Sequence, residues 1–339
     1  MREILAMPYS LVVLALLVAC GDTEPILDPG PPYPLDEVLG IDHLQMGGTH
    51  NSYHVEPENP IDDSHRYTHA PPFEQLDGQG VRAFELDIHL DDDGLPLSVY
   101  HIKINQARID AESNCELLID CLTQMREWAD INRGHMPIMT WIEVKDDVGG
   151  LPIADLDQFE DEVLSVIPRS RIFTPDDLRG EYDSVRAALD AEGWPRLAEA
   201  RNKFMFLILE GGPIRDVYTR ELTSLSGRLA FIDADPGQFD MPWAAVTKIN
   251  NPADSDNIAA AHAAHLLVAS NTCGADESDV ACQAALDAGL ENGVHMLMDD
   301  FPVAIPTREY FLDLPDGNPG RCNPVTAPPE CTSEAIENL

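Results

Sequence analysis

The sequence predicts an α/β fold, a TIM-barrel-like (β/α)8 domain with a short β-hairpin insertion, on three observations. Short apolar runs alternate with amphipathic stretches from His43 onward, over roughly 250–300 residues, the length and rhythm of a parallel barrel wrapped by helices. No linker divides the chain after Pro34, and no fixed internal period points to a repeat architecture. With 339 residues and 44% hydrophobic content, the chain can bury one large core.

Strands are expected at His43–Gly47, Arg82–His89, Leu97–Tyr100, Pro137–Val144, Phe204–Leu209, Leu229–Asp233, Ala245–Ile249, His265–Ala269 and His295–Met298. Helices are expected at Pro72–Asp77, Cys115–Asn132, Asp155–Ile167, Glu181–Glu192, Ser255–His262 and Ser278–Gly289. One connection departs from the βαβ pattern. The stretch from Leu90 to Pro96 is too short for a parallel crossover, and its Asp92-Asp93-Gly94 is a turn signal. The chain must double back there as a hairpin, which returns His101 towards Glu85. The Pro- and Gly-rich tail, residues 315–339, is expected to be irregular and to wrap the surface.

Residues 1–19 read as an export signal. The apolar run Leu11–Ala19 is too short to span a bilayer, and Leu17-Val18-Ala19-Cys20-Gly21 resembles a bacterial lipoprotein signal with Cys20 as the acylated residue. An ordinary cleaved secretory signal is the alternative. Residues 20–35 hold Pro25, Pro29, Pro31, Pro32 and Pro34, the composition of a stiff tether, and residues 36–339 form the single folded unit. The other six cysteines fall into three close pairs, Cys115/Cys121, Cys273/Cys282 and Cys322/Cys331, which suggests local disulfides in an oxidising compartment. The formal net charge of −39 argues against nucleic acid and against nonspecific adhesion to anionic membranes. An anionic substrate would need local positive charge to overcome that field.

The chemistry gathers around Arg82–His89. Period-two alternation puts Glu85, Asp87 and His89 on one face of a strand and Phe84, Leu86 and Ile88 on the other. Two carboxylates spaced i, i+2 on a rigid element make half of a divalent-cation site. Asn51, in the segment Gly47-Gly48-Thr49-His50-Asn51-Ser52-Tyr53, adds an uncharged oxygen, the glycines allow close approach to a ligand, and Glu143 supplies a third acid from another strand. His50 and His101 flank this set as an acid/base pair. Lys145 and Lys248 are the candidate sources of positive charge for an anionic phosphodiester. His89 either points past the site or recruits a transition metal. Glu210, Asp235, Asp299 and Asp300 could line the same mouth, and His54, His65, His69, His262, His265 and His295 receive no role.

In this order, Gly48-Thr49-His50-Asn51-Ser52-Tyr53, Gln75-Leu76, Gly80 through Asp87, Val99-Tyr100-His101 and Ile142-Glu143-Val144-Lys145 resemble the calcium-dependent phosphoinositide phospholipase C family, in its secreted bacterial form. The likeness is dense from His43 to Lys145 and looser afterwards. It implies Ca2+ held by Asn51, Glu85, Asp87 and Glu143. His50 would stabilise the developing charge or protonate an oxygen, and His101 would protonate the departing diacylglycerol oxygen or donate to the phosphoryl group. The reaction implied is attack of an inositol 2-hydroxyl on phosphorus. Two other readings stay open: a same-fold phosphodiesterase for a glycerophosphodiester or another headgroup, and a non-catalytic calcium-binding lipoprotein. The expected partners are a phospholipid or phosphodiester substrate and a membrane contacted through the N-terminal lipid anchor, with no nucleic acid and no protein partner. The expected location is the bacterial cell envelope, or the medium if the protein is secreted.

Overall fold

The computed structural model describes residues 33–89, 96–104, 107–145, 153–209, 211–219, 224–315 and 318–337. The expected signal and most of the expected tether, the turn expected at 90–95 and Glu210 lie outside them. Eight parallel strands form the barrel: β1 (Leu44–Thr49), β2 (Ala83–His89), β6 (Ile138–Val144), β7 (Phe204–Ile208), β8 (Phe231–Ile232), β9 (Val246–Lys248), β10 (Leu267–Cys273) and β11 (Met296–Asp299). Strand order is β8-β7-β6-β2-β1-β11-β10-β9, and a parallel bridge from Asp233 to Val246 brings the two ends together.

Alternation along each strand sorts the side chains into two apolar layers. Met46, Ala83, Met139, Trp141, Met205, Leu207, Phe231, Val246, Leu267, Ala269, Met296 and Met298 fill the interior. Phe84, Leu86, Ile88, Ile138, Ile142, Phe206 and Leu297 face outward to the helices. Helix α1 (Pro72–Asp77) begins with proline at its first position, and α2 (Leu118–Ile131) buries Leu118, Cys121, Leu122, Met125, Trp128 and Ala129, a single stripe. Short β3 (Ser98–Val99) runs antiparallel to β2, and β4 (Ile102–Ile104) and β5 (Ala107–Asp110) form the hairpin beyond it. Helices α3 (Ile153–Val166), α4 (Pro175–Arg179), α5 (Val185–Glu192), α6 (Leu197–Ala200), α7 (Gly212–Tyr218), α8 (Ser255–Ala263) and α9 (Asp279–Glu291) complete the outer layer.

Several expectations shift. Helix α2 starts at Leu118 rather than Cys115, because the backbone at Leu117 is extended and bridges Ser98. Strand β10 runs four residues past Ala269 through Ser270-Asn271-Thr272-Cys273, whose polar side chains hid it from a hydrophobicity reading. Gly47 and Gly48 lie inside β1, not in a ligand loop. A Cβ on Gly48 would stand 2.7 Å from Met298 Sδ and 2.8 Å from Ala83 Cβ, so glycine permits close packing of neighbouring strands. The tail is less irregular than expected: β12 (Gly320–Cys322) pairs antiparallel with β1, and Glu337 is buried against Arg82. All three disulfides join the cysteines nearest in sequence.

Candidate active site

The candidate site side chains gather towards the C-terminal ends of the barrel strands, where a (β/α)8 fold places its active site. Glu85 and Asp87 follow Ala83 on the inward face of β2, and Asp87 is the register partner of Glu143 on β6. Oxygen atoms of Glu85, Asp87 and Glu143 all lie within 4.8 Å of one another. Tyr53 donates to Asp87 Oδ2 at 2.7 Å and lies 3.3 Å from Asn51 Oδ1, which brings Asn51 to the rim of this cluster.

The turn carrying His50 and Asn51 is clamped to β2. Ser52 N donates to Glu85 O, and Glu85 N donates back to Ser52 Oγ, both at 2.9 Å. Gln75 on α1 donates to Ser52 O at 2.6 Å and contacts Thr49 Oγ1 at 2.7 Å. Asn51 takes φ of +45°, a left-handed conformation that asparagine tolerates. His69 Nε2 lies 2.9 Å from His50 O, and burial pushes its imidazole down to about 3, so it is neutral.

The cations are spoken for within the site. Lys248 Nζ donates to Glu85 Oε2 at 2.6 Å across the barrel, while Lys145 Nζ lies 2.7 Å from Glu143 Oε1 and 3.1 Å from Asp87 Oδ2. Burial would raise the Glu85 carboxyl, but Lys248 and His50 outweigh it and hold it below its ordinary value. Asp87 goes the other way. Burial, with the negative charges of Glu143 and Glu85, pushes it up to about 8 in spite of Lys145 and Tyr53. Its Oδ1 is buried with no hydrogen-bond partner among the described residues.

The two histidines are each oriented by an acid. His50 Nδ1 lies 2.9 Å from Asp300 Oδ1, and Asp300 Oδ2 accepts from Ala275 N at 2.8 Å. Burial favours the neutral imidazole of His50, but Asp300 and Glu85 overcome it and push the ring up to about 9. His101 Nδ1 lies 2.9 Å from Asp110 Oδ2, and burial holds this ring below its ordinary value against that hydrogen bond. The two rings are close enough for the charge of His50 to depress His101 further.

Asp300 stood in the sequence only as one of several acids, and Asp110 drew no attention, because neither lies in a motif. The β4–β5 hairpin returns Asp110 to His101, whose N donates to Asp110 O at 3.1 Å. His89 is not on the site: its ring stacks on Tyr100 with centroids 3.6 Å apart, and its Nε2 lies 3.0 Å from Tyr100 O. Asp235 pairs with Arg215 at 2.8 Å, and Asp299 is buried against Thr272 and Tyr310. A cavity of about 450 Å3 opens beside His50, lined by Asn250, Asn251, Asn271 and Glu277 among others, with no lysine or arginine in its wall among the described residues.

Fold and mouth together define a (β/α)8 barrel with an acid-lined site flanked by two histidine–aspartate pairs. Residues 39–103 and 95–324 match the family described as phosphoinositide phospholipase C, Ca2+-dependent, and the chain belongs to that family. Its members are phosphodiester hydrolases. Among solved structures, the chain is similar to a calcium-dependent phosphatidylinositol-specific phospholipase C from Streptomyces antibioticus. Identity is 20%, coverage is 78% of this chain and 95% of that one, and the TM-score is 0.55. It is also similar to a calcium-dependent phosphoinositol-specific phospholipase C from Pseudomonas sp., with 18% identity over 79% of this chain and 92% of that one, TM-score 0.58. At these identities the likeness shows the shared fold. No curated protein sequence matches.

Proposed function

We propose that this chain is a calcium-dependent phospholipase C that cleaves phosphatidylinositol-like lipids, with His50 and His101 in direct contact with the phosphodiester. The observation that carries the reading is Asp87: a buried carboxylate with an unsatisfied oxygen, pushed up to about 8 by two neighbouring acids. Lys145 and Lys248 offset two of the three acids and leave Asp87 Oδ1 unsatisfied, and oxygen spacings within 4.8 Å suit Ca2+, which takes oxygen ligands at about 2.3–2.6 Å. Glu85, Asp87, Glu143 and Asn51 would hold the ion. Calcium there would neutralise a phosphate oxygen and lower the pKa of a coordinated hydroxyl.

The chain's own groups supply the rest. His50, charged up to about pH 9, donates from Nε2 towards the phosphoryl oxygens, while Asp300 holds Nδ1. A carboxylate of the cluster takes the proton of the attacking 2-hydroxyl. Asp110 holds His101 Nδ1, so Nε2 is the atom at which the ring, in its imidazolium form, gives a proton to the departing diacylglycerol oxygen and is left neutral with its hydrogen on Nδ1. Lys145 and Lys248, which pair with the acids of the cluster, are the ammonium groups nearest to hand for the oxygens of an anionic substrate. The asparagine-rich cavity beside His50 suits a hydroxylated headgroup, whose hydroxyls its amides can hydrogen-bond. Residues 1–19 would direct export, and Cys20 would anchor the protein in a membrane. Among the described residues no helix is long and apolar enough to cross one.

The test is release of water-soluble phosphate ester from phosphatidylinositol and from glycerophosphodiesters, with calcium and with chelator. Activity on phosphatidylinositol should vanish with chelator and fall by about 100-fold or more in His50→Ala and His101→Ala. Activity that survives chelation rejects the calcium assignment. A loss below about tenfold in either variant rejects the histidine roles.

A further inference from the structure

Beside the carboxylate cluster lies a second group of ligand atoms with different chemistry. Asp110, only 1% exposed, is surrounded by three imidazoles. His101 Nδ1 lies 2.9 Å and His65 Nδ1 3.3 Å from Asp110 Oδ2, and His54 Nε2 lies 3.2 Å from both carboxylate oxygens. To orient one histidine a carboxylate needs one such contact. His65 Nδ1 is the surplus one: it is buried in a side chain only 7% exposed, faces Asp110 without hydrogen-bond alignment, and has no hydrogen-bond partner among the described residues.

We propose that His65, His101 and Asp110 bind a transition-metal cation of the Zn2+ type, separate from the calcium site. One ligand atom from each of the three residues lies within 4.8 Å of the other two, and Nδ1 of His101 and of His65 stand 2.9 and 3.3 Å from Asp110 Oδ2. Ligands about 2.0–2.1 Å from a tetrahedral ion stand about 3.3 Å apart, so little movement is needed to seat one. Two imidazoles and one carboxylate suit zinc, copper or nickel, whereas calcium prefers the all-oxygen cluster nearby. His54 is outside the triangle. Its Nδ1 donates to Tyr67 O at 3.0 Å, the backbone contact that fixes a ring around a metal site, and it steadies Asp110 from the other side. A cation at His101 Nδ1 displaces the hydrogen that Asp110 accepts and withdraws His101 from proton transfer, so the metal inhibits. That consequence rests on the role proposed for His101; the binding does not.

The experiment titrates the purified, tag-free protein, saturated with Ca2+, with Co2+, and reads the visible absorption that four-coordinate cobalt gives. One equivalent should bind, and Zn2+ should displace it. Zn2+ should also inhibit phosphatidylinositol cleavage. His65→Gln should weaken Co2+ binding by at least about tenfold and relieve the inhibition, with calcium-dependent activity in the absence of zinc held within about twofold. His65→Asn, with a thermal melt on both variants, guards against misfolding of either one. Absence of the cobalt band, or unchanged affinity in both folded variants, overturns the site. Zinc inhibition that persists in them overturns the link to His101. The absorption reads binding even if no lipid is cleaved, so failure of the phospholipase reading is seen separately.

Discussion

Lys248 closes its ammonium on Glu85 at 2.6 Å, two side chains 4% and 1% exposed that stand 163 residues apart in sequence. Each neutralises the other inside the barrel. Removing one partner of a buried pair costs about 3–5 kcal/mol, because the charge left behind has no solvent. Lys248→Met should therefore lower the melting temperature sharply in chelator, and calcium should restore most of the loss by taking over the charge of Glu85. A variant that melts like the parent in chelator would show that the pair carries no such load.

Asp87 sets a pH dependence that calcium should erase. Its folded carboxyl titrates near 8, against an ordinary value of 3.8. Between those values the folded, metal-free protein holds a proton the unfolded chain has lost, so this group's stabilisation is complete below about 4 and fades as pH rises towards 8. The rise in melting temperature on adding calcium should accordingly be largest near pH 8. Asp87→Asn should flatten the metal-free slope and abolish the calcium response. Equal slopes for variant and parent in chelator would contradict this.

Asp300 holds His50 in its charged form. The ring's ordinary value of 6.5 rises to about 9, so its stabilising contribution is full below 6.5 and is lost as pH climbs through 9. In Asp300→Asn burial regains control, and the alkaline limb of kcat/KM should move down by about 1–3 pH units. A limb that stays in place while kcat falls would mean that Asp300 acts only on ring position.

Arg82 and Glu337 tie the tail to the far end of the barrel. The Arg82 guanidinium is fully buried, sits 4.4 Å over Trp128, donates to Leu76 O and Val81 O, and pairs with Glu337, which also accepts from Met136 N at 2.7 Å. Glu337→Ala should cost about 3–5 kcal/mol by denaturant unfolding. It should leave kcat unchanged, because this pair lies at the opposite mouth from His50. A fall in kcat in the folded variant would show that the two ends are coupled.

What the sequence determined by itself is whatever depends on local geometry. Alternation with period two set Glu85 and Asp87 inward and Phe84, Leu86 and Ile88 outward, because a strand's pleat permits nothing else. Short spacing suggested the three disulfide pairings, and the structure joins those same neighbours. Polar stretches were harder to read: Ser270–Cys273 extends a barrel strand, yet its composition resembles a loop.

Tertiary structure alone decided the partners. Asp300 meets His50 across 250 positions, Lys248 meets Glu85 across the barrel, and His65 meets His101 through an acid that no motif marks. Those distances are fixed by strand order and barrel closure, which depend on the whole core packing at once. A local pattern carries which way a side chain points; only the closed barrel carries what it points at.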